Sequence, residues 1–470
     1  MRLNIMLGLC ALVALVCVLA AGPDMHAGDV RRIAGPGIDA TQGALRDNVH
    51  ATDPLRWQGR PRQGDMRGQD GASARRAPQA MVGTNPAAAL SYSPAEGYEV
   101  PGAAGPVAAA DVTGDGVPEA LVVVSDISGG PCRVVVFRSG RPLQQIADIV
   151  LDATCDDLFG GMAVGDLNDD GVADVAVGTE DGIALLVSDG QGGLQAHTVS
   201  LGRRIDQLGM LDVDLDGRLD VFGLGWGDPS GSYDPLASTI FYGDGLGGIA
   251  SSMPMATPQR GYNDLKVADV TADGLLDLVI ASGQAPSFWV IAHAPGAGLL
   301  APQAYPRPDP TWTTNAVAVV DLNADGYNEI VVNTSANKPI ATLWIYTQRG
   351  DGTLRPPTKL TTFEMPGTML GADLNGDRLQ DLAILHDGWD ALGSYTQLAG
   401  GGLGSERLDD APVQDHANRQ GLAIADLDAD GCPDALVGHN QFGLVVLRGE
   451  NCTPRPPART GGPLPARLRK

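Results

Sequence analysis

Between residues 85 and 452, short apolar runs alternate with acidic or glycine-rich turns. Runs of four to six Val, Ile, Leu and Ala are too short for helices and read as strands. The segments PVAAAD, GMAVGD, LGMLD, LKVAD, AVAVVD, MLGAD and GLAIAD each lead into a nine-residue acidic stretch, and runs such as ALVVVS, DLVIAS and EIVVNT resume directly after it. A third apolar run follows, as in VVVF at 134–137, IALLVS at 183–188 and ATLWIY at 341–346, then a glycine turn such as SDGQGG or GDGLGG and a fourth run. Each repeat is thus a four-stranded antiparallel meander.

The acidic stretches begin at Asp111, Asp166, Asp212, Asp269, Asp321, Asp373 and Asp426, at intervals of 55, 46, 57, 52, 52 and 53 residues. Four-stranded units at a period of ~50 residues are the blades of a propeller. The predicted fold is therefore all-β, a seven-bladed β-propeller over residues 85–452. Small residues before each acidic stretch suit the innermost strand, where blades converge. The last repeat reaches a proline-rich tail without a fourth strand, whereas AALSYSPAEGYEV at 88–100 precedes the first repeat with no strands to join. This N-terminal segment is expected to supply the missing outer strand, closing the ring and removing an exposed edge.

Charge sharpens the picture. The formal net charge is −24, but residues 1–84 and 453–470 are basic, leaving 17 basic against 49 acidic groups in 85–452. Such a body repels phosphates, which excludes nucleic acid as its partner. Of those acids, 24 lie inside the seven nonapeptides. Like carboxylates crowded without a counter-ion repel one another. Metal-free Asx turns would account for one such loop, but seven copies call for bound cations.

Calcium takes six to eight oxygens, and alternate positions of a turn can wrap it. Position one is Asp in all seven copies: Asp111, Asp166, Asp212, Asp269, Asp321, Asp373 and Asp426. Position three is Thr113, Asn168, Asp214, Thr271, Asn323, Asn375 and Asp428; position five is Asp115, Asp170, Asp216, Asp273, Asp325, Asp377 and Asp430. Position seven would offer a carbonyl, and position nine a closing carboxylate from Glu119, Asp174, Asp220, Asp277, Glu329, Asp381 and Asp434. The expectation is up to seven structural calcium ions. Position six is Gly in six copies, as a left-handed turn requires, and Arg378 in DLNGDRLQD, where strain is expected.

These loops, with FGG at 159–161 leading into MAVGDLNDDG, resemble the FG-GAP or VCBS-type repeat of integrin α-subunit propellers and of many secreted bacterial proteins. The resemblance implies a seven-bladed propeller with calcium between the first and second strands. It implies no function, because relatives include adhesion modules and non-catalytic parts of enzymes.

Residues 1–22 read as a cleaved secretory signal, with the apolar run Ile5–Ala21 behind Arg2. Residues 23–84 are an Arg-, Gly-, Gln- and Pro-rich leader and 453–470 a basic, Pro-rich tail, both too poor in aliphatics to fold. Export to the periplasm, cell surface or medium makes Cys132, Cys155, Cys432 and Cys452 disulfide candidates. Three connectivities are possible, and the local pairs Cys132–Cys155 and Cys432–Cys452 are favoured.

Recognition is expected on the rim opposite the nonapeptides. Trp226 and Tyr233, Tyr305 and Trp312, and Trp389 fall in connections read as lying there, and such aromatics suit sugar stacking or protein capture. Catalysis has less support: His386 with Asp387 and Asp390 is the most suggestive cluster, and it reads as a solvated loop. The chain is accordingly read as a monomeric, exported, calcium-stabilised module binding a glycan or protein, with no membrane span after signal cleavage. The alternative is a secreted carbohydrate-active enzyme such as a polysaccharide lyase.

Overall fold

The computed structural model describes residues 90–452 except 127, 156–159, 228–235, 237, 258–261, 283–284 and 414–417, with the backbone of Leu55–Arg56 in addition and without the side chains of 226–227, 262–263 and 282. The signal, most of the leader, the tail, Tyr233 and the Trp226 side chain lie outside the described residues.

The apolar runs form seven four-stranded antiparallel blades, with no helix among the described residues. Blade one is Ala103–Ala110, Glu119–Ser125, Arg133–Arg138 and Gln144–Val150 in that spatial order. Blades two to six follow the same order from inner strands Met162–Gly165, Arg204–Leu211, Tyr262–Ala268, Val317–Val320 and Pro366–Ala372. Blade seven starts at Leu422–Ala425. Each inner strand neighbours those of the blades before and after it, and the ring closes from blade seven to blade one. Blade four carries an addition that the pattern did not predict, a small hairpin pairing His293–Ala294 with Gly298–Leu299.

Second strands are buried on both faces, which explains why they read as unbroken apolar runs instead of alternating ones. In Glu119–Ser125, Ala120, Val122 and Val124 pack toward blade seven, whereas Leu121 and Val123 pack toward blade two. A buried cluster fills every interface between adjacent blades in this way. Each fully buried Val or Leu contributes about 1.5–3 kcal/mol relative to exposure. Glycine is needed where inner strands meet: a Cβ on Gly209 would stand 2.4 Å from Val267, and one on Gly371 would stand 2.4 Å from Val320.

The N-terminal segment closes the ring as expected. Glu96–Tyr98 pairs antiparallel with Gly443–Leu447 as the fourth strand of blade seven, and Ser91–Tyr92 pairs with Gly449–Glu450. Leu55–Arg56 of the leader adds a further two-residue strand beside Glu96–Gly97. Both favoured disulfides are present, Cys132–Cys155 in blade one and Cys432–Cys452 in blade seven.

At the entry ends of the inner strands, the segment before Leu422–Ala425 stitches the ring across its axis. Asn418 Nδ2 donates to the Gly160 carbonyl at 2.8 Å, and Gln420 Nε2 to the Leu208 carbonyl at 3.0 Å. Gln420 Oε1 accepts the Met162 amide at 2.7 Å, and Thr368 Oγ1 donates to the Asn418 carbonyl at 2.9 Å. Two residues at the start of blade seven, Asn418 and Gln420, thereby reach blades one, two, three and six.

Candidate metal-binding loops and the opposite rim

All seven nonapeptides fold by one scheme. The second oxygen of the position-one carboxylate accepts the position-six amide at 2.8–3.0 Å. Position five accepts the position-seven amide at 2.8–2.9 Å. The chain thus coils inward around the side chains at one, three and five. Two backbone positions pass through the left-handed region: position six, as the glycines require, and position four. Asp169, Leu215, Ala272, Ala324 and Ala429 have φ of 57–61° at position four, a feature that pattern reading missed. Arg378 adopts φ 74°, the expected strained exception, while Gly376 at its position four has φ 76°.

Position nine has a different place. Its side chain is buried in every copy, and one oxygen accepts the position-two amide at 2.8–3.1 Å. In the five blades where the donor is Ser188, Gly243, His293, Gln397 or Gly449, the other oxygen accepts an amide at or just past the end of the third strand at 2.7–2.9 Å. Burial pushes Asp174, Asp220 and Asp434 up to about 6, and Asp381 and Glu329 up to about 7, while these amides pull the other way. Where position nine is Glu, it also takes the position-three side chain: Thr113 Oγ1 at 3.1 Å from Glu119 and Asn323 Nδ2 at 2.8 Å from Glu329.

The donor set fits a hard cation. Asp212, Asp214 and Asp216, and likewise Asp426, Asp428 and Asp430, each bring three carboxylate oxygens within 4.8 Å of one another. Asp426 Oδ1 is buried without a hydrogen-bond donor, as a metal-ligand oxygen would be. Oxygen-only ligands on a flexible turn suit calcium. Three of the loops are also gripped by a side chain of the next blade. Asn328 Nδ2 donates to the Asp269 carbonyl at 3.0 Å, Gln397 Nε2 to the Asp321 carbonyl at 2.8 Å, and Ser188 Oγ to the Val112 carbonyl at 3.2 Å. These three loops therefore join two blades as well as two strands.

The seventh loop carries a cationic network that sequence reading did not anticipate. Arg448, wholly buried, donates to Asp434 Oδ2 at 2.9 Å and to the Gly140 carbonyl at 2.9 Å, and lies 3.4 Å from Glu96. Its signal in the sequence is an arginine closing the apolar run GLVVLR.

On the opposite rim, Trp312 is 39% and Trp389 44% exposed. Trp312 lies in the link from blade four to blade five, and Trp389 in the turn between the second and third strands of blade six, edge-on to Phe363 at 5.8 Å. Tyr305 differs from expectation: it belongs to the outer strand Gln303–Pro306 and stacks on Phe288 at 5.3 Å, because alternation along that strand turns its ring inward. The reading of His386 as part of a solvated loop is corrected. It ends the strand Asp381–His386, is fully buried, and has Nδ1 2.8 Å from the Glu364 carbonyl and Nε2 3.0 Å from Glu406 Oε1. Beside it, Asp387 is also buried and pairs with Arg419 at 3.2 Å. No helix among the described residues is long and apolar enough to cross a membrane.

A family model described as FG-GAP-like repeat matches residues 269–332 and 321–384. No curated protein matches the chain. Among solved structures, the chain is similar to an Agrocybe aegerita lectin recognising non-reducing terminal N-acetylglucosamine, at 18% identity over 67% of this chain and 80% of that one, with a TM-score of 0.44. It is also similar to BBS1N, solved in complex with ARL6DN, at 12% identity over 75% and 95% with a TM-score of 0.49. A third is the rhamnogalacturonan lyase YesW, at 14% identity over 78% and 73% with a TM-score of 0.43.

Proposed function

Because this chain is a seven-bladed β-propeller of FG-GAP-like repeats, we propose that it is an exported binding or adhesion module whose acidic loops hold calcium and whose opposite rim recognises a glycan or a protein. The observation that carries recognition is the exposure of Trp312 and Trp389 on the rim away from the acidic loops. An indole face left in water at that site is suited to stacking on a sugar or capturing a side chain. Export is supported by two disulfides, which persist in oxidising compartments.

Calcium, when bound, neutralises the loop carboxylates and fixes the turn; positions one, three and five with the position-seven carbonyl would hold it, and the position-nine carboxylate closes the loop behind them. The enzyme reading is weaker because His386, the histidine most suggestive of chemistry, has both ring nitrogens engaged inside the protein. The test is a glycan array probed with labelled protein, wild type against a Trp312→Ala/Trp389→Ala double variant of unchanged melting temperature. Loss of binding is expected, and retained binding contradicts this face. A shortened product from an acidic polysaccharide would favour the lyase instead.

A further inference from the structure

The seven loops share their backbone hydrogen bonds but not the charges that face them. The third and seventh have the same acidic content, Asp at one, three, five and nine. In the third, the nearby cation is the loop's own Arg218, 3.4 Å from Asp216, with both side chains exposed. Water screens such a pair, and it contributes little. In the seventh, Arg141 arrives from another blade. It sits in the turn between Arg133–Arg138 and Gln144–Val150 of blade one and crosses the closing seam, bringing Nη1 within 3.5 Å of Asp428 Oδ2. The Asp428 side chain is only 7% exposed, so the pair is less screened on the carboxylate side. Glu96 stands 4.0 Å from Arg141 and accepts from Arg448 as well, which holds the guanidinium at the seam.

Position three of the seventh loop is thus claimed twice. Asp428 converges with Asp426 and Asp430 as a cation would require, and Asp426 Oδ1 is buried without a donor, as a ligand oxygen would be. Yet an oxygen of Asp428 already faces a fixed positive charge. A divalent ion entering there must meet or displace the guanidinium.

We propose that Arg141 is an internal competitor for the cation of the seventh loop, so that this loop binds calcium more weakly than the third, its equal in acid content, and fills or empties with ambient calcium. This rests on the reading of the loops as calcium sites. Occupancy of the seventh loop is then coupled to the seam that closes the ring, since Arg141 belongs to blade one and Asp428 to blade seven.

The test is calcium titration of the full chain by calorimetry with a direct ion count, for wild type, Asp214→Asn, Asp428→Asn and Arg141→Gln. Asp214→Asn should lose a tight ion and Asp428→Asn a weak one. Arg141 is half exposed, so its glutamine variant is expected to keep the fold; it should tighten the weak ion by roughly two- to fivefold, the factor that one partly screened charge pair supports, and leave the tight ion unchanged. Equal affinities of the two ions, or no change in Arg141→Gln, overturns the competition while leaving calcium in the loops. If neither Asp→Asn variant loses an ion, the calcium reading itself falls, and the competition with it.

Discussion

Arg448 and Asp434 form a wholly buried ion pair, Nη1 to Oδ2 at 2.9 Å, at the place where blade seven meets blade one. Both side chains are essentially without solvent contact, so neither charge can be left alone cheaply. Replacing Arg448 by Met should cost about 3–5 kcal/mol, the penalty for stranding a buried partner. Urea denaturation followed by circular dichroism measures it. A loss below about 1 kcal/mol would show that the pair does not secure the seam.

The inner ring sets a second expectation. Gly371→Ala places a Cβ 2.4 Å from Val320 Cβ, where both atoms belong to packed strands. Overpacking of this kind costs about 1–3 kcal/mol. Gly400 has nothing within 4 Å of its virtual Cβ, and its alanine variant should stay within about 0.5 kcal/mol of wild type. Thermal melts of the two variants side by side decide the matter, and equal stability contradicts the packing account.

Glu406 gives a pH dependence. Burial works to raise its carboxyl, but His386, the Thr362 hydroxyl and the Phe363 amide outweigh burial and hold it below the ordinary 4.5. A carboxylate depressed in the folded state contributes stability that is complete above its unfolded value and disappears as pH falls through the folded one. Between neutral pH and about 5 this contribution should therefore be constant, then decline as the pH drops below 4.5. Glu406→Gln should be less stable than wild type at pH 7 and converge with it in acid. A constant difference across that range, measured by chemical denaturation, would show that Glu406 does not act through its charge.

Much of this architecture was legible because each blade repeats the same physical problem. Runs such as ALVVVS must be strands buried on both faces, and their spacing already implies blades. The closing strand was legible too, since blade seven lacked a partner and AEGYEV lacked a sheet. What stayed hidden depends on residues brought together from distant parts of the chain. Gln420 meets Leu208 over a separation of 212 residues, and Arg448 meets Glu96 over 352. No local periodicity records such pairs. Position four of the loops was hidden for another reason. Ala, Leu and Asp there give no sign of a positive φ, because the surrounding hydrogen bonds impose it. Tyr305 and His386 misled the reading because both border loops, whereas strand register decides that their rings point inward.

On the proposed reading, calcium in the acidic loops holds strand to strand and blade to blade. A ligand present at a hundred times its Kd stabilises the folded state by about 2.7 kcal/mol for each site, so several occupied loops should move the melting temperature by many degrees. Differential scanning calorimetry of the full chain in calcium and then in excess chelator tests this directly. The account predicts a marked, reversible fall in melting temperature on chelation, restored when calcium is returned. An identical transition under both conditions would contradict it.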